Sequence, residues 1–463
     1  MALPGFAAGT TVGRKAVPTN PQRNLGAGRE WIEQGKAPMK DDDVVASRSL
    51  NNRTSRISRR RALRTFGSGI AAAVAAPWVV RHALADQLVG PGGITLARPN
   101  QPVTLPRFQD PIKSGLEPEK GGTFTIFNYA DYIDKKLVEE FGKKYKVKTQ
   151  ITTFDSIDQA ITRLAKKAVR ADVTEITPER VAQAVAGKLL LPLNLDYIPN
   201  LKSNIWPQLH SPFYDVESRY TVPYTIYSTG IGWRNDKVSE DIAKLDNPWS
   251  IFWNSQKYKG YVGVLDDARE ALGMAMLYRG VYDINSEDAG AIDKALADLK
   301  DLIPICNPKI NITEYQTLPE GSSYLHESWS GDMFGAVISY LPKGTDASVL
   351  SYWTPPRGKQ IVQNDCFCIT AQTKKPVLAH LFLNYLLDND VSYNNFVNFV
   401  GYQPPLNSVT PEKLISDNVI PKNLSTIVLT PDDLGPDSLQ IMSLTPKGQA
   451  LWQNAYSKFV SGV

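Results

Sequence analysis

The chain has 463 residues, 42% hydrophobic, 10% aromatic and 21% charged. That is ample for a buried core, implies about two to three domains and excludes wholesale disorder; with no apolar run of about 20 residues, it also excludes a multi-span membrane protein. The net charge of +4 hides an asymmetry: residues 1–85 hold 14 Lys and Arg against 5 Asp and Glu, and the remainder holds 37 against 42. The body is therefore mildly acidic and lacks the broad basic footprint of a nucleic-acid-binding protein.

Residues 1–57 are polar and basic with scattered Pro and Gly, and read as a disordered extension. Ser58-Arg59-Arg60-Arg61-Ala62-Leu63-Arg64 is followed by a weakly apolar stretch from Gly67 to Val80 and by Ala83-Leu84-Ala85 before Asp86. Paired arginines, a mild apolar region and an A-x-A site have the form of a twin-arginine export signal cleaved after about residue 85. Ala62 stands where a bulkier apolar residue is usual, and a basic tail beside an Ala-rich helix is the alternative. Met39 would give a more ordinary signal length, so translation from Met1 or from Met39 stays open. The expectation is passage through the twin-arginine machinery in folded form and a periplasmic location. No cysteine follows the cleavage site to carry a lipid anchor.

Residues 86–120 are rich in Pro and Gly and are expected to form an extended arm or linker. Regular structure is predicted from residue 121: a strand Thr123 to Asn128, a helix with Ile133, Leu137, Val138 and Phe141 on one face, and a strand Val147 to Phe154. A helix capped by Ser156 with Gln159, a strand Val173 to Ile176 and a helix from Arg180 follow. This β-α-β-α-β order predicts a parallel sheet covered by helices. Later come a strand Tyr261 to Leu265, a helix from about Asp267, a helix capped by Ser286, a strand Gly335 to Tyr340 and a helix opened by Pro376. The fold class is α/β, with two lobes: 121–226 plus 364–408, and 227–363 plus 409–463.

In open parallel sheets, ligands bind beyond the carboxyl ends of strands. The residues there are Asn128-Tyr129-Ala130-Asp131-Tyr132, Asp266-Asp267-Ala268-Arg269-Glu270, Glu327-Ser328-Trp329-Ser330-Gly331-Asp332, Gln363-Asn364-Asp365 and Gly401-Tyr402-Gln403. Aromatics beside carboxylates on loops suit a small organic cation, through ring faces and charge-assisted hydrogen bonds. Each has a structural alternative. Asp267 and Glu270 could form a capping box, Tyr129 and Tyr132 could be core residues, Trp329 could be packing, and Asp365 could form a turn.

NYADYIDKKLVEEF (Asn128 to Phe141), PYTIYSTGIGWRND (Pro223 to Asp236), GYVGVLDDAREALGMAML (Gly260 to Leu277) and VGYQPPLN (Val400 to Asn407) resemble, in order, the spermidine/putrescine-binding proteins of bacterial polyamine importers. The resemblance implies a type II-like periplasmic-binding-protein fold, two α/β lobes joined by hinge crossovers with the ligand between them. It implies a monomeric, non-enzymatic protein without cofactor or metal, serving the permease of an ABC importer. It also implies ligand contacts from Tyr129, Asp131, Tyr132, Asp267, Glu270, Trp329, Asp365 and Tyr402, with Thr177 where the family often has serine. Ala130, Glu179 and Gln363 depart from the pattern, the last two from aromatic positions. These departures motivate a second reading, a pocket for an amino-acid derivative or an anion.

G-x-S-x-G, H-E-x-x-H and P-loop patterns are absent, and His210, His326 and His380 are far apart in sequence. Cys366 and Cys368 would share one strand face, and with Cys306 read as buried free thiols. A glycoside hydrolase with paired carboxylates is a third reading. Asp267 and Glu270 lie only one helical turn apart, a poor arrangement for flanking a scissile bond.

Overall fold

A computed structural model describes residues 89–435 and 437–462, all within the compact unit Pro77–Val463; the expected export signal and its cleavage site lie outside the described residues. Nine strands are β1 (Thr123–Tyr129), β2 (Lys148–Phe154), β3 (Val173–Ile176), β4 (Thr221–Arg234), β5 (Val262–Leu265), β6 (Lys309–Asn311), β7 (Leu325–Trp329), β8 (Leu350–Trp353) and β9 (Ile361–Ile369). They form one sheet in the order β2-β1-β3-β9-β4-β7-β5-β6, with β8 paired to β4 beside this path. Parallel pairs β1–β2, β1–β3, β5–β6 and β5–β7 form the two ends. Between them the first half of β4 runs antiparallel to β9, and its second half pairs with β7 and β8. Chain order and strand order thus cross at β4 and β9, and this is where the two lobes meet.

The helices that matter below are α1 (Lys135–Tyr145), α2 (Ile157–Ala165), α3 (Pro178–Ala186), α4 (Asn200–Ser203), α5 (Ala268–Tyr278), α6 (Ala289–Cys306), α7 (Glu314–Glu320), α8 (Ser330–Gly335), α9 (Pro376–Leu386), α10 (Asn389–Asn395), α11 (Pro411–Ser416) and α12 (Pro446–Val460). Strand alternation sorts side chains to two cores. Phe124 and Ile126 of β1, with Phe367 and Ile369 of β9, enter one cluster; Phe127, Cys366 and Cys368 enter another. In the first, Phe382 of α9 lies with its ring centroid 5.3 Å from Phe124 and 5.0 Å from Phe141. Truncating so buried a ring to alanine costs about 3–5 kcal/mol. The β5–β7 end has its own cluster, built on Val262, Val264, Leu272, Leu299 and Trp452. Leu414, Leu424 and Ile427, late in the chain, join the large cluster that also holds Phe124. All three cysteines are free and buried.

The first three strands and the α3, α5 and α9 helices fall within about two residues of expectation. Four local features differ. Residues 335–340 form no strand: α8 continues into a five-residue π-helical turn, Ala336–Tyr340, and the true strand, β7, lies just upstream. The β-branched Val337 and Ile338 suggested extension, but they pack instead on the core from a helical backbone. Asp288, not Ser286, caps α6: its carboxylate accepts the Gly290 N–H at 3.0 Å, and the Ser286 hydroxyl accepts the Asp288 N–H. Ser156 does cap α2, but the Gln159 amide oxygen reaches the Asp155 N–H, so the box is not reciprocal. Finally, the described part of the arm is docked. The Val103 N–H donates to Phe213 and its carbonyl accepts from Val216, Leu105 is fully buried, and Glu119 accepts the Val377 and Leu378 N–H groups at the start of α9.

Candidate functional site

β1 and β3 are parallel, and β9 runs antiparallel to β3 with Ile176 facing Cys366. The chain therefore leaves β3 alongside Asp365, and on the other flank of Asp365 stands Thr225 of β4. Asp365 is 5% exposed. Its Oδ2 accepts the Tyr132 hydroxyl at 2.5 Å and the Thr225 hydroxyl at 3.2 Å. Burial pushes its pKa up to about 6, against the pull of those hydroxyls. No lysine or arginine of the described residues pairs with it. Beneath it, Glu175 of β3 is 1% exposed with no hydrogen-bonding side chain on either oxygen. Burial and the Asp365 charge hold its pKa well above the carboxylate range.

A file of edge-to-face rings leads away from this carboxylate. Tyr129 and Tyr132 lie 6.0 Å apart, Tyr132 and Tyr402 5.3 Å, Tyr402 and Tyr227 5.4 Å, and Tyr227 and Trp329 6.3 Å. The file starts at the end of β1, crosses β4 and finishes at the end of β7. Two glycines let Tyr402 stand there. Gly401 has φ +77° and a side chain on it would meet the Gly335 backbone, while a Cβ on Gly331 would lie 2.5 Å from the Tyr402 ring.

The far end of the file meets the start of α5. Asp267 caps this helix, its Oδ1 accepting the Arg269 N–H at 2.7 Å and the Glu270 N–H at 3.1 Å. Glu270 does not complete a capping box. Its Oε1 accepts the Trp329 indole N–H at 3.0 Å and its Oε2 is buried without a partner. Burial, then the Asp267 charge, pushes the Glu270 pKa up to about 7. Glu327 of β7 is fully buried nearby and accepts the Leu265 N–H. Arg269, between the two acids in sequence, is turned to the scaffold: it donates to the Met442 and Ile284 carbonyls and to Asn285, and lies 4.5 Å over the Trp452 ring.

The structure thus links seven expected residues, Tyr129, Tyr132, Asp267, Glu270, Trp329, Asp365 and Tyr402, through hydrogen bonds and ring contacts. The other three stand apart. Asp131 is exposed with φ 53°, and its charge acts on Tyr315 and Tyr340 at the outer edge. The Gln363 amide is taken by the Ile441 backbone, accepting its N–H at 3.0 Å and donating to its carbonyl at 3.5 Å. Thr177 caps no backbone group; its hydroxyl donates to Glu179 at 2.5 Å. Sequence reasoning missed Tyr227, which sits in a strand that reads as a crossover, and Glu175, a carboxylate inside a four-residue strand buried throughout. The second is a usable signal, because a buried acid in a central strand needs a reason. Among the described residues, no group of three or more His, Cys, Asp or Glu could hold a metal ion.

Two α/β halves joined through a long antiparallel strand pair, with acids and rings between them, define a two-lobed solute receptor. Residues 136–422 match the family model of bacterial extracellular solute-binding proteins, and the chain belongs to that family. It is 26% identical over 307 residues to the spermidine/putrescine-binding periplasmic protein of Escherichia coli, covering 66% of this chain and 83% of that one. It is also 26% identical to the putrescine/cadaverine-binding protein of Pseudomonas aeruginosa, covering 62% and 80%. The spermidine/putrescine substrate-binding protein of Streptococcus pneumoniae superposes with a TM-score of 0.57 at 20% identity, covering 74% of this chain and 99% of that one, and so confirms the two-lobe fold.

Proposed function

We propose that this chain is the periplasmic binding component of an ABC importer, capturing a polyamine such as putrescine or spermidine, or a similar small organic cation, between its lobes. The observation that carries the reading is Asp365: a buried carboxylate ringed by tyrosines, with no basic side chain to neutralise it. An uncompensated buried carboxylate is costly, and a ligand ammonium supplies the missing charge. Asp267 and Glu270 take a second nitrogen, and the rings from Tyr129 to Trp329 flank the methylene chain and attract the cation. Ligand favours a closed state because only there do both lobes touch it, with β4 and β9 as the crossovers that bend. The names of the relatives support the same class of ligand.

In this reading one lobe is 121–226 plus 364–408 and the other 227–363 plus 409–463. The protein acts as a monomer delivering solute to a membrane permease, after export through the twin-arginine route, and converts nothing chemically. Asp267 and Glu270 stand together at the start of α5 rather than on opposite faces of a bound substrate, which argues against the hydrolase. The test is calorimetry with putrescine and spermidine on the purified mature protein. Binding that weakens by about tenfold to a hundredfold in Asp365→Asn supports the reading, as expected for a charged hydrogen-bond partner. The absence of heat and of thermal stabilisation with every amine overturns it.

A further inference from the structure

Glu179 is the feature of the crevice that the shared polyamine pattern leaves unexplained. It lies in the first turn of α3, directly after β3. The registers fix its surroundings: β3 is flanked by β1 and β9, so the chain emerging past Ile176 passes between the end of β1 at Tyr129 and Asp365 on β9. The Thr177 hydroxyl holds the Glu179 Oε1 at 2.5 Å. The Ser443 hydroxyl donates to the Glu179 carbonyl at 2.6 Å, anchoring the turn to the C-terminal segment that also holds Gln363 and Arg269. Arg180 makes only a long ion pair with the carboxylate, its Nε 3.9 Å from Oε1, because its fork reaches Asp158 at 3.2 Å, and the Arg269 charge also acts on Glu179. The Glu179 side chain keeps 19% of its surface open. Its charge is felt by Asp365, Tyr129 and Tyr227, in keeping with its place between the ends of β1 and β9.

We infer that Glu179 is a specificity-determining residue, a second carboxylate at the Asp365 subsite that selects a guanidinium-ended ligand over a primary ammonium on the same chain. The inference rests on the amine-binding reading above. Its chemistry is a matter of donors. Asp365 has Oδ2 engaged by Tyr132 and Thr225, with Tyr227 also hydrogen-bonding its carboxylate, and Glu179 has Oε1 engaged by Thr177, so a ligand's donors would be shared between the remaining acceptor positions of two residues. An ammonium is a compact, strongly hydrated point charge with three donors. A guanidinium spreads its charge over a plane, presents five donors in a fork and stacks on ring faces such as those of Tyr129 and Tyr227.

The experiment compares agmatine with putrescine, which share a four-carbon amine chain and differ in one end group, by calorimetry on the mature protein and on Glu179→Gln. The wild type is expected to bind agmatine at least about tenfold more tightly, the order of one charge-assisted hydrogen bond. In Glu179→Gln, agmatine binding falls by that factor, putrescine binding changes less than about threefold, and the preference disappears. Thr177→Val, which removes the hydroxyl that orients the carboxylate but keeps its charge, narrows the preference in the same direction and guards against a folding defect in the first variant. Equal weakening of both ligands, or a wild type that prefers putrescine, overturns the role of Glu179 while leaving amine binding intact. A protein that binds neither ligand nor spermidine overturns both readings.

Discussion

Two pairs of carboxyl groups flank the aromatic file, and they differ in the partners that hold them. Asp267 and Glu270 open α5, where each accepts an N–H: Asp267 from the helix backbone, Glu270 from the Trp329 indole. Glu314 of α7 and Asp332 of α8 meet behind Tyr402, which hydrogen-bonds Asp332. Burial is the largest influence on both acids of the second pair; it pushes Asp332 up to about 6 and Glu314 well above the carboxylate range, with no basic group beside them. The contact therefore requires a proton between the two carboxyl groups, because like charges in contact cannot both ionise. The first pair is equipped to bear charge towards a ligand. The second shares a proton, carries at most one negative charge and supports Tyr402.

Asp267 has two separable duties, a helix cap and a charge. Asp267→Ala removes the helix cap and the charge. It should lower stability by about 0.5–2 kcal/mol in chemical denaturation and weaken amine binding by about tenfold to a hundredfold in calorimetry. Asp267→Asn keeps a capping oxygen and loses only the charge, so the binding loss should persist with nearly wild-type stability. If Asn restores binding too, Asp267 is a cap and nothing more.

The second contrast sets like against like. Glu270→Gln should cost amine affinity about tenfold, because a ligand nitrogen loses an anionic acceptor. Glu314→Gln puts a neutral amide where a neutral acid stands. It should change affinity less than about threefold and stability by no more than about 1 kcal/mol, the ordinary scale of one hydrogen bond. A Glu314→Gln variant as damaged as Glu270→Gln would mean that both pairs carry charge.

The DDARE segment announced the first pair from sequence, since two acids at a helix start after a strand have either a capping or a binding role. The second pair was illegible. Glu314 and Asp332 are 18 positions apart, and only the packing of α7 against α8 brings them together. The same limit hid Tyr227: alternation along β4 identifies a strand but not which neighbour its ring meets across the sheet. The parallel ends of the sheet were legible because hydrophobic alternation and helix caps are local. The run 335–340 was misread because Val337 and Ile338 favour extension locally, and the connection from β7 through α8 overrode them.

pH offers a third lever on the comparison. Asp365, Asp332 and Glu270 ionise near 4 in an unfolded chain but hold their protons to about 6, 6 and 7 in the fold, burial being the main cause. The folded form thus binds more protons than the unfolded form across this range. Stability of the ligand-free protein should fall as pH climbs from about 4 to about 7, a trend opposite to that of salt-bridged carboxylates. Binding a cation reverses the penalty at Asp365 and Glu270 but leaves the Glu314–Asp332 pair untouched. Affinity should therefore rise by about tenfold between pH 6 and pH 8. Thermal melts across this range, with and without spermidine, should diverge as pH increases, and Glu270→Gln should flatten the divergence. Parallel melting curves would mean that neither acid titrates into the site.

The smallest expected effect concerns the single bond that distinguishes Glu270 from the other buried acids. The Trp329 indole N–H at 3.0 Å holds Oε1 in place and favours its charged form, while Oε2 is left for a ligand. Trp329→Phe keeps a ring face in the file but removes that donor. Two consequences oppose each other. Glu270 becomes harder to ionise, which weakens binding, yet Oε1 becomes free to accept from the ligand, which partly compensates. The net loss of affinity at pH 8 should be only about threefold, growing at pH 6, where ionisation of Glu270 becomes limiting. An affinity loss independent of pH would assign Trp329 to ring contact alone and detach it from the protonation of Glu270.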